Sequence, residues 1–97
     1  MFAVVLTYTV PLTEIDRHVP GHMTWLRAQY DAGRLLVSGA RTPRTGGVLL
    51  FATMPRAELD AALAKDPFAE HGLADHEIFE FTATSSIDAL TPWRDPA

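Results

Sequence analysis

The sequence predicts an α+β domain in which four strands form one antiparallel sheet and two helices cover it. Four short runs are rich in β-branched and aromatic residues, as strands are. Two other segments repeat apolar residues at the three- and four-residue steps of an amphipathic helix. These segments follow the order β-α-β-β-α-β without an internal repeat. The length of 97 residues suits one small domain.

The first strand is predicted at residues 2–9, before the strand breaker Pro11. Its alternate residues are mostly apolar on both sides, which is typical of a central strand that is covered on both faces. Thr13 follows as an expected N-cap, with acidic residues in the turn after it. This pattern predicts a short helical turn at about 13–18.

The main first helix is predicted at about 20–32. Proline is tolerated in a first helical turn but costs about 3 kcal/mol inside a helix. Pro20-Gly21 is therefore expected to separate this helix from the preceding turn, and Gly33 suits the C′ position that ends it. The stripe expected to face the sheet consists of Val19, Met23, Leu26 and Tyr30. A second stripe, at the edge of the buried face, consists of His18, His22, Trp25 and Gln29.

The second and third strands are predicted at 34–40 and 48–53, as a hairpin. A turn-rich connection that includes Gly46-Gly47 joins them. Pro55 suits the first position of a second helix that runs to about residue 65. The stripe of that helix consists of Leu59, Ala62 and Leu63.

Asp66 should end the second helix, because a residue before proline is pushed away from helical angles. Phe68 then folds back as an apolar anchor. The fourth strand is predicted at 77–83. A polar tail follows, whose large side chain Trp93 could dock on the body of the domain or on a partner.

Composition excludes several classes of function. The net charge of −4 and the scattered basic residues argue against nucleic acid, which requires a clustered basic surface. Without cysteine, disulfides and thiolate metal sites are excluded. The apolar N-terminal run lacks a basic region and is too short to span a bilayer. We therefore expect a soluble, cytoplasmic protein without membrane partners.

The element order is most simply satisfied by a ferredoxin-like sandwich, with strands one and three central and both helices on one face of the sheet. The other face retains about half of the alternating apolar residues of the strands. An exposed apolar patch of that size is unusual on a monomer. We therefore expect two sheets to pack face to face in a homodimer with a two-fold axis.

Chain direction predicts where polar residues converge. At one end of the sandwich lie the start of helix one, the end of helix two, the ends of strands one and two and the start of strand four. The residues expected there are Tyr8, His22, Ser38, Gly39 and Asp66, near His71 and His76. Arg17 or Arg41 could bind a carboxylate or phenolate, although solvation at the surface is the commoner role of an arginine.

Three stretches resemble the YciI-like family over residues 1–90, and the tail at 91–97 lies outside the resemblance. The stretches are residues 22–26, residues 32–39 and Asp66-Pro67-Phe68. The resemblance implies a dimeric α/β barrel of ferredoxin-like subunits, with a histidine–aspartate pair that matches His22 and Asp66. It also implies a small-Gly pair at Ser38-Gly39. Some members act on substituted aromatic compounds, for example by removing chloride from a hydroxylated ring.

Two functional hypotheses remain open from the sequence. In the first, the chain is a small cofactor-independent enzyme, a lyase or isomerase, in which His22 and Asp66 catalyse elimination, isomerisation or dehydrochlorination of a small molecule. Ser38, Gly39 and Tyr8 would bind the substrate. In the second, the chain is a non-catalytic small-molecule-binding or oligomerisation module, and the pair only stabilises a helix junction.

No metal site is expected. His18 and His22 have the four-residue spacing of helical metal ligands. Pro20-Gly21 should break the turn between them, and no third ligand is indicated.

Overall fold

The computed structural model describes residues 1–95 and contains one antiparallel sheet with its helices. The elements are β1 (Phe2–Tyr8), α1 (Leu12–Asp31), β2 (Leu35–Ala40), β3 (Gly46–Phe51), α2 (Arg56–Ala64), α3 (Pro67–Glu70), β4 (Ala74–Glu80) and a 3₁₀ helix (Asp88–Trp93). The sheet order is β2-β3-β1-β4. The predicted ferredoxin-like architecture is confirmed, with β1 and β3 central as expected.

The first helix is longer than predicted. Residues Leu12–Asp31 form one continuous α-helix with Pro20 inside it, and its N-cap is Pro11 rather than Thr13. The prediction of a break at Pro20-Gly21 is therefore wrong. Proline removes one intrahelical donor, whose acceptor would be the carbonyl of Asp16 four residues earlier. Asp16 is exposed, so water can satisfy that carbonyl.

The buried face of α1 also differs from the predicted stripe. Its buried residues are Ile15, Trp25, Leu26 and Gln29. Met23 and Tyr30 are exposed, so the predicted stripe is rotated from the true one. The continuous helix explains the shift: Ile15 is fully buried in the first half, and it fixes which side of the second half faces the sheet. This rotation turns His22 inward.

The third and fourth strands both start and end two to three residues earlier than predicted. Gly46-Gly47 was predicted as a turn, but both residues lie in β3. A Cβ atom at Gly46 would lie 1.7 Å from the carbonyl oxygen of Leu6, so only glycine lets β1 and β3 approach at this point. The fourth strand begins three residues earlier than predicted, at Ala74. Its earlier start places His76 within the sheet, opposite Leu6.

The core lies between the helices and one face of the sheet. β1 contributes Phe2, Val4 and Leu6 to it, and α2 contributes Leu59 and Leu63, as its predicted stripe requires. Each fully buried large apolar side chain contributes about 1.5–3 kcal/mol to folding. The opposite face of the sheet has no helix over it within residues 1–95, and it bears the exposed side chains Val37, Val48 and Phe79.

The C-terminal segment is held by Asp95. Trp93 was predicted to dock on the body or on a partner; it is exposed on this chain, and docking on a partner stays a prediction. The carboxylate of Asp95 accepts hydrogen bonds from Thr53 Oγ1 at 2.7 Å and from the Ala83 backbone N–H at 2.6 Å. These bonds hold the pKa of Asp95 below its usual value. The last two residues of the predicted tail, 96–97, lie outside the described residues.

Candidate active site

A cavity of about 260 Å³ opens between α1 and the end of the sheet. Helix α1, the three strands β1 to β3 and helix α3 all contribute to its wall. The wall consists of Leu6, Tyr8, Val19, His22, Met23, Leu26, Ser38, Gly39, Ala40, Arg44, Gly47, Leu49 and Phe68. Most of these side chains are apolar, with a few polar groups among them, as is common in small-molecule sites.

His22 lies on the inner face of α1, between the cavity and α3. Its Nδ1 is 2.8 Å from Oδ1 of Asp66. Its ring stacks on Phe68, with centroids 4.1 Å apart and an interplanar angle of 11°. The Nε2 atom makes no hydrogen bond with residues 1–95, and it is not among their buried polar atoms. One nitrogen of the ring is therefore bonded to Asp66, and the other is accessible on a residue that lines the cavity.

Asp66 is fully buried behind His22 and does not line the cavity. It lies between α2 and α3 in an extended conformation, as its position before Pro67 requires. As N-cap of α3, its Oδ1 also accepts the backbone N–H of Phe68 at 3.1 Å. Gly21 lets α1 approach α3 closely, because a Cβ at this position would lie 3.2 Å from Cγ of Pro67.

Opposing effects act on the pKa of Asp66. Burial raises this pKa, because it disfavours the charged carboxylate. The hydrogen bond of His22, the nearby ring of His76, the charge of His22 and the Phe68 N–H lower it, and the net pKa lies below the usual value. Asp66 is therefore ionised near neutral pH. Since a carboxylate can only accept, Nδ1 of His22 carries the proton, and Nε2 of the neutral ring has a free lone pair.

His76 approaches the other oxygen of Asp66. Its Nε2 lies 3.8 Å from Oδ2, which is beyond hydrogen-bond reach. Both atoms are buried and lack a hydrogen-bond partner within residues 1–95. The two histidines thus flank one carboxylate, but only His22 is bonded to it. A charge on His76 would also favour the ionised form of Asp66.

The structure places the remaining predicted residues around the cavity. Tyr8 lines it and meets Phe68 edge-on, with centroids 5.8 Å apart. Ser38 also lines it, and its Oγ is bonded to the hydroxyl of Tyr30 at 2.6 Å. Gly39 lines the cavity with open space where a Cβ would be, so its lack of a side chain leaves room there. The sequence predicted Tyr30 in the apolar stripe of the first helix and did not predict the hydrogen bond of its hydroxyl to Ser38.

Arg44 is the basic residue at the cavity, and the sequence did not identify it. Its Nη2 is 2.6 Å from Oδ1 of Asp16, a hydrogen bond that raises the pKa of Arg44. The suggested Arg17 pairs with Glu14, and Arg41 donates to Thr7; neither lines the cavity. No sequence signal distinguishes Arg44, because the path of the β2–β3 connection decides which arginine reaches the cavity.

The family model described as the YCII-related domain matches residues 1–82. The chain belongs to the YCII-related family. This confirms the resemblance inferred from the sequence, and the matched range contains every residue of the site described above. No curated protein matches the chain.

Among solved structures, this YCII-related chain is similar to the 5-chloro-2-hydroxyhydroquinone dehydrochlorinase (TftG) of Burkholderia phenoliruptrix AC1100, in complex with 2,5-dihydroxybenzoquinone. The TM-score is 0.69 and the sequence identity is 17%. The match covers 84% of this chain and 93% of that chain. At this identity the similarity shows a shared fold.

The histidines outside the pair do not assemble a metal site. Within residues 1–95, no three His, Cys, Asp or Glu side chains are grouped so that they could hold a metal ion. His18 lies against His71, with ring centroids 4.3 Å apart. The expected break between His18 and His22 is absent, so it is no longer an argument against a metal site. The lack of a third ligand remains an argument against one.

In the described part of this YCII-related chain, no helix is long and apolar enough to cross a membrane.

Proposed function

We propose that this YCII-related protein is a cofactor-independent enzyme in which His22 transfers a proton on a small, one-ring molecule. One observation carries the proposal: the imidazole lies between a buried carboxylate and an apolar cavity, with Nδ1 bonded to the carboxylate and Nε2 open. A base held in one tautomer and aimed at a cavity is the arrangement that general acid–base catalysis requires.

In this mechanism, Nε2 of neutral His22 removes a proton from the bound molecule. The ring becomes an imidazolium, and ionised Asp66 stabilises its positive charge through the Nδ1–H bond. The imidazolium then returns the proton to another atom of the substrate, which gives an isomerisation. In an elimination, the leaving group departs as an anion with its bonding electron pair, as chloride does, and the imidazolium releases the proton to water. Phe68 holds the ring plane by stacking and keeps water away from it.

The size of the cavity suits a single substituted ring. An apolar cavity of about 150 Å³ already accommodates benzene, and this one measures about 260 Å³. The dehydrochlorinase of the same fold acts on a chlorinated, hydroxylated ring, as its name states. Dehydrochlorination of such a ring removes one proton and one chloride ion. It requires no electron acceptor, so the proposal assigns no cofactor.

We also propose that the protein is a homodimer whose two sheets pack through their helix-free faces, as a dimeric α/β barrel. Three exposed apolar residues on that face, Val37, Val48 and Phe79, support this assembly. Contiguous apolar surface on a soluble domain commonly marks an interface. Packing of the sheets would leave the cavity on the helix side of each subunit.

The experiment that tests the enzymatic proposal compares His22→Gln with the wild type. Chlorinated and unchlorinated hydroxyhydroquinones are first screened for thermal stabilisation of the wild type, and chloride release is then measured for the ligands found. Loss of the base should reduce turnover by about 10²-fold or more. The matched control is His71→Gln, because His71 is exposed and does not line the cavity. Full turnover by His22→Gln would refute the proposal.

A non-catalytic binding module is the second candidate, and one observation favours it. Oδ1 of Asp66 bonds both His22 and the backbone of α3, so the pair also stabilises a helix junction. If that is its main role, His22→Gln should lower the melting temperature strongly, and no ligand of the wild type should be converted. The enzymatic proposal expects little change in melting temperature and a large loss of turnover.

A further inference from the structure

Within residues 1–95, the cavity wall contains a basic side chain but no acidic one. Of the residues that line the cavity within the described chain, Arg44 is the only arginine or lysine, and none is an aspartate or glutamate. The other polar side chains in the wall are Tyr8, His22 and Ser38, each of which can donate a hydrogen bond. We propose that the cavity selects monocyclic aromatic anions and that Arg44 is the residue that binds their anionic oxygen.

Arg44 has several donors for such a ligand. Its Nη2 donates to Oδ1 of Asp16 at 2.6 Å, and the phenol of Tyr8 lies close enough to the guanidinium to add to the rise in the pKa of Arg44. A guanidinium has five N–H donors in one plane. Two of them can donate to one carboxylate or phenolate while another remains bonded to a neighbouring side chain. Asp16 lies outside the cavity wall and orients the guanidinium from behind.

The phenol of Tyr8 supports the same assignment. Tyr8 and Arg44 both line the cavity and also a shallower depression beside it, so the two side chains are neighbours at one border of the site. A phenol hydroxyl can donate to an anionic oxygen that is already held by the guanidinium. An anion at this border gains two donors, whereas a neutral ring gains only apolar contact.

The preference for anions must be local, since the whole chain has a net charge of −4 and repels anions at long range. Two negative charges lie near the site but outside the cavity wall: Asp16 is paired with Arg44, and Asp66 lies behind the His22 ring and is bonded to it. Arg44 comes from the β2–β3 connection and His22 from α1, so they border the cavity from different elements. A one-ring ligand that fills the cavity therefore contacts Arg44 with its anionic oxygen and His22 with its reacting edge.

This inference deepens the proposed function, but its test measures binding alone. Benzoate is compared with benzamide, and 2,4-dinitrophenolate with 2,4-dinitroanisole, by NMR titration at pH 7. The two pairs distinguish a carboxylate from a phenolate as the anionic group. The wild type should bind the anion of at least one pair about tenfold more tightly than its neutral partner. That preference should weaken as salt is added.

Three variants complete the test. Arg44→Gln should bind the anion and its neutral partner equally, whereas Arg44→Lys should retain part of the preference. Arg41→Gln is the matched control, because Arg41 lies in the same connection but outside the cavity wall, and it should behave as the wild type. Equal binding of both partners by the wild type, or an unchanged preference in Arg44→Gln, would overturn the inference.

His22→Gln separates this inference from the proposed function. It should keep the anion preference while it loses turnover. A variant that keeps both would refute only the role of His22 as the base, and the inference on Arg44 would stand.

Discussion

The side chain of Asp66 has two roles, as a helix cap and as the partner of His22. Its Oδ1 caps α3 through the Phe68 N–H and also bonds Nδ1 of His22. An asparagine could still cap the helix with its side-chain oxygen, because Asn and Asp are similar N-caps. It could not stabilise a positive charge on His22. Substitution at this position therefore separates capping from charge.

The pH dependence of stability tests the charge of Asp66. Its pKa is lower in the folded than in the unfolded chain, so the unfolded state takes up a proton first as the pH falls. The contribution is complete above the unfolded pKa of about 4 and is lost as the pH falls through the folded pKa. Asp66→Asn should lack this acid loss and should be less stable at pH 7 by roughly 2 kcal/mol.

Urea unfolding between pH 3 and pH 7 measures both effects. Asp31→Asn is the control, because it removes the same charge from an exposed position at the end of α1. An Asp66→Asn variant with the acid sensitivity of the wild type would show that Asp66 does not contribute in this way.

The contact between His22 and Asp66 could be predicted, but its surroundings could not. Chain direction in a β-α-β-β-α-β domain places the predicted start of helix one, at Pro20, beside the end of helix two. In the structure that point lies in the middle of α1, and the contact forms there. The second oxygen of Asp66 approaches His76 only because β4 starts at Ala74, and that boundary depends on strand pairing. Arg44 reaches the cavity through an irregular connection, for which no periodic pattern exists.

At the scale of elements, α1 shows why a local rule failed. Helix propensity alone makes Pro20 unfavourable inside a helix. In the fold, each half of the helix buries side chains: Ile15 in the first half, Trp25 and Leu26 in the second. Trp25 also donates from Nε1 to the carbonyl of Ala62 at 2.9 Å. Tertiary packing of this kind overrides propensity.

The glycine at the start of β3 carries a prediction about the sheet. A Cβ at Gly46 would lie 1.7 Å from the Leu6 carbonyl oxygen and 3.1 Å from Cα of Thr7, so β1 and β3 would have to separate. Gly46→Ala should destabilise the protein by roughly 3 kcal/mol in urea unfolding. Gly39→Ala is the control, since a Cβ there meets nothing within 4 Å and should change stability little. Similar stability of the two variants would contradict the close strand approach.

The ends of α1 and α2 were easier to predict than the starts of α1 and β3. Gly33 has a φ of 72°, which explains why a glycine ends α1. Asp66-Pro67 ends α2 for a local steric reason. The start of β3 at Gly46 could not be predicted this way, because glycine is disfavoured in strands unless another backbone comes close. That closeness belongs to the tertiary structure.

For the whole molecule, the two faces of the sheet have different partners. One face packs on the helices and contains the core residues of β1 and β3. The other retains exposed side chains of three strands: Val37 on β2, Val48 on β3 and Phe79 on β4. The sequence predicted this division, because a strand with apolar side chains on both faces requires packing against both faces of the sheet. The helices pack against one face, and we propose that a second copy of the chain packs against the other.

The dimer proposal predicts a mass in solution. Sedimentation should give twice the chain mass of 10.7 kDa at micromolar concentrations. Val48→Glu should shift the protein to the monomer, because a charge on a central strand of the interface would have to be buried without a partner. Ile87→Glu is the matched control: Ile87 is equally apolar and more exposed, but it lies outside the sheet. A wild type that sediments as a monomer would refute the dimer. A Val48→Glu variant that remains dimeric would show that the subunits associate through another surface.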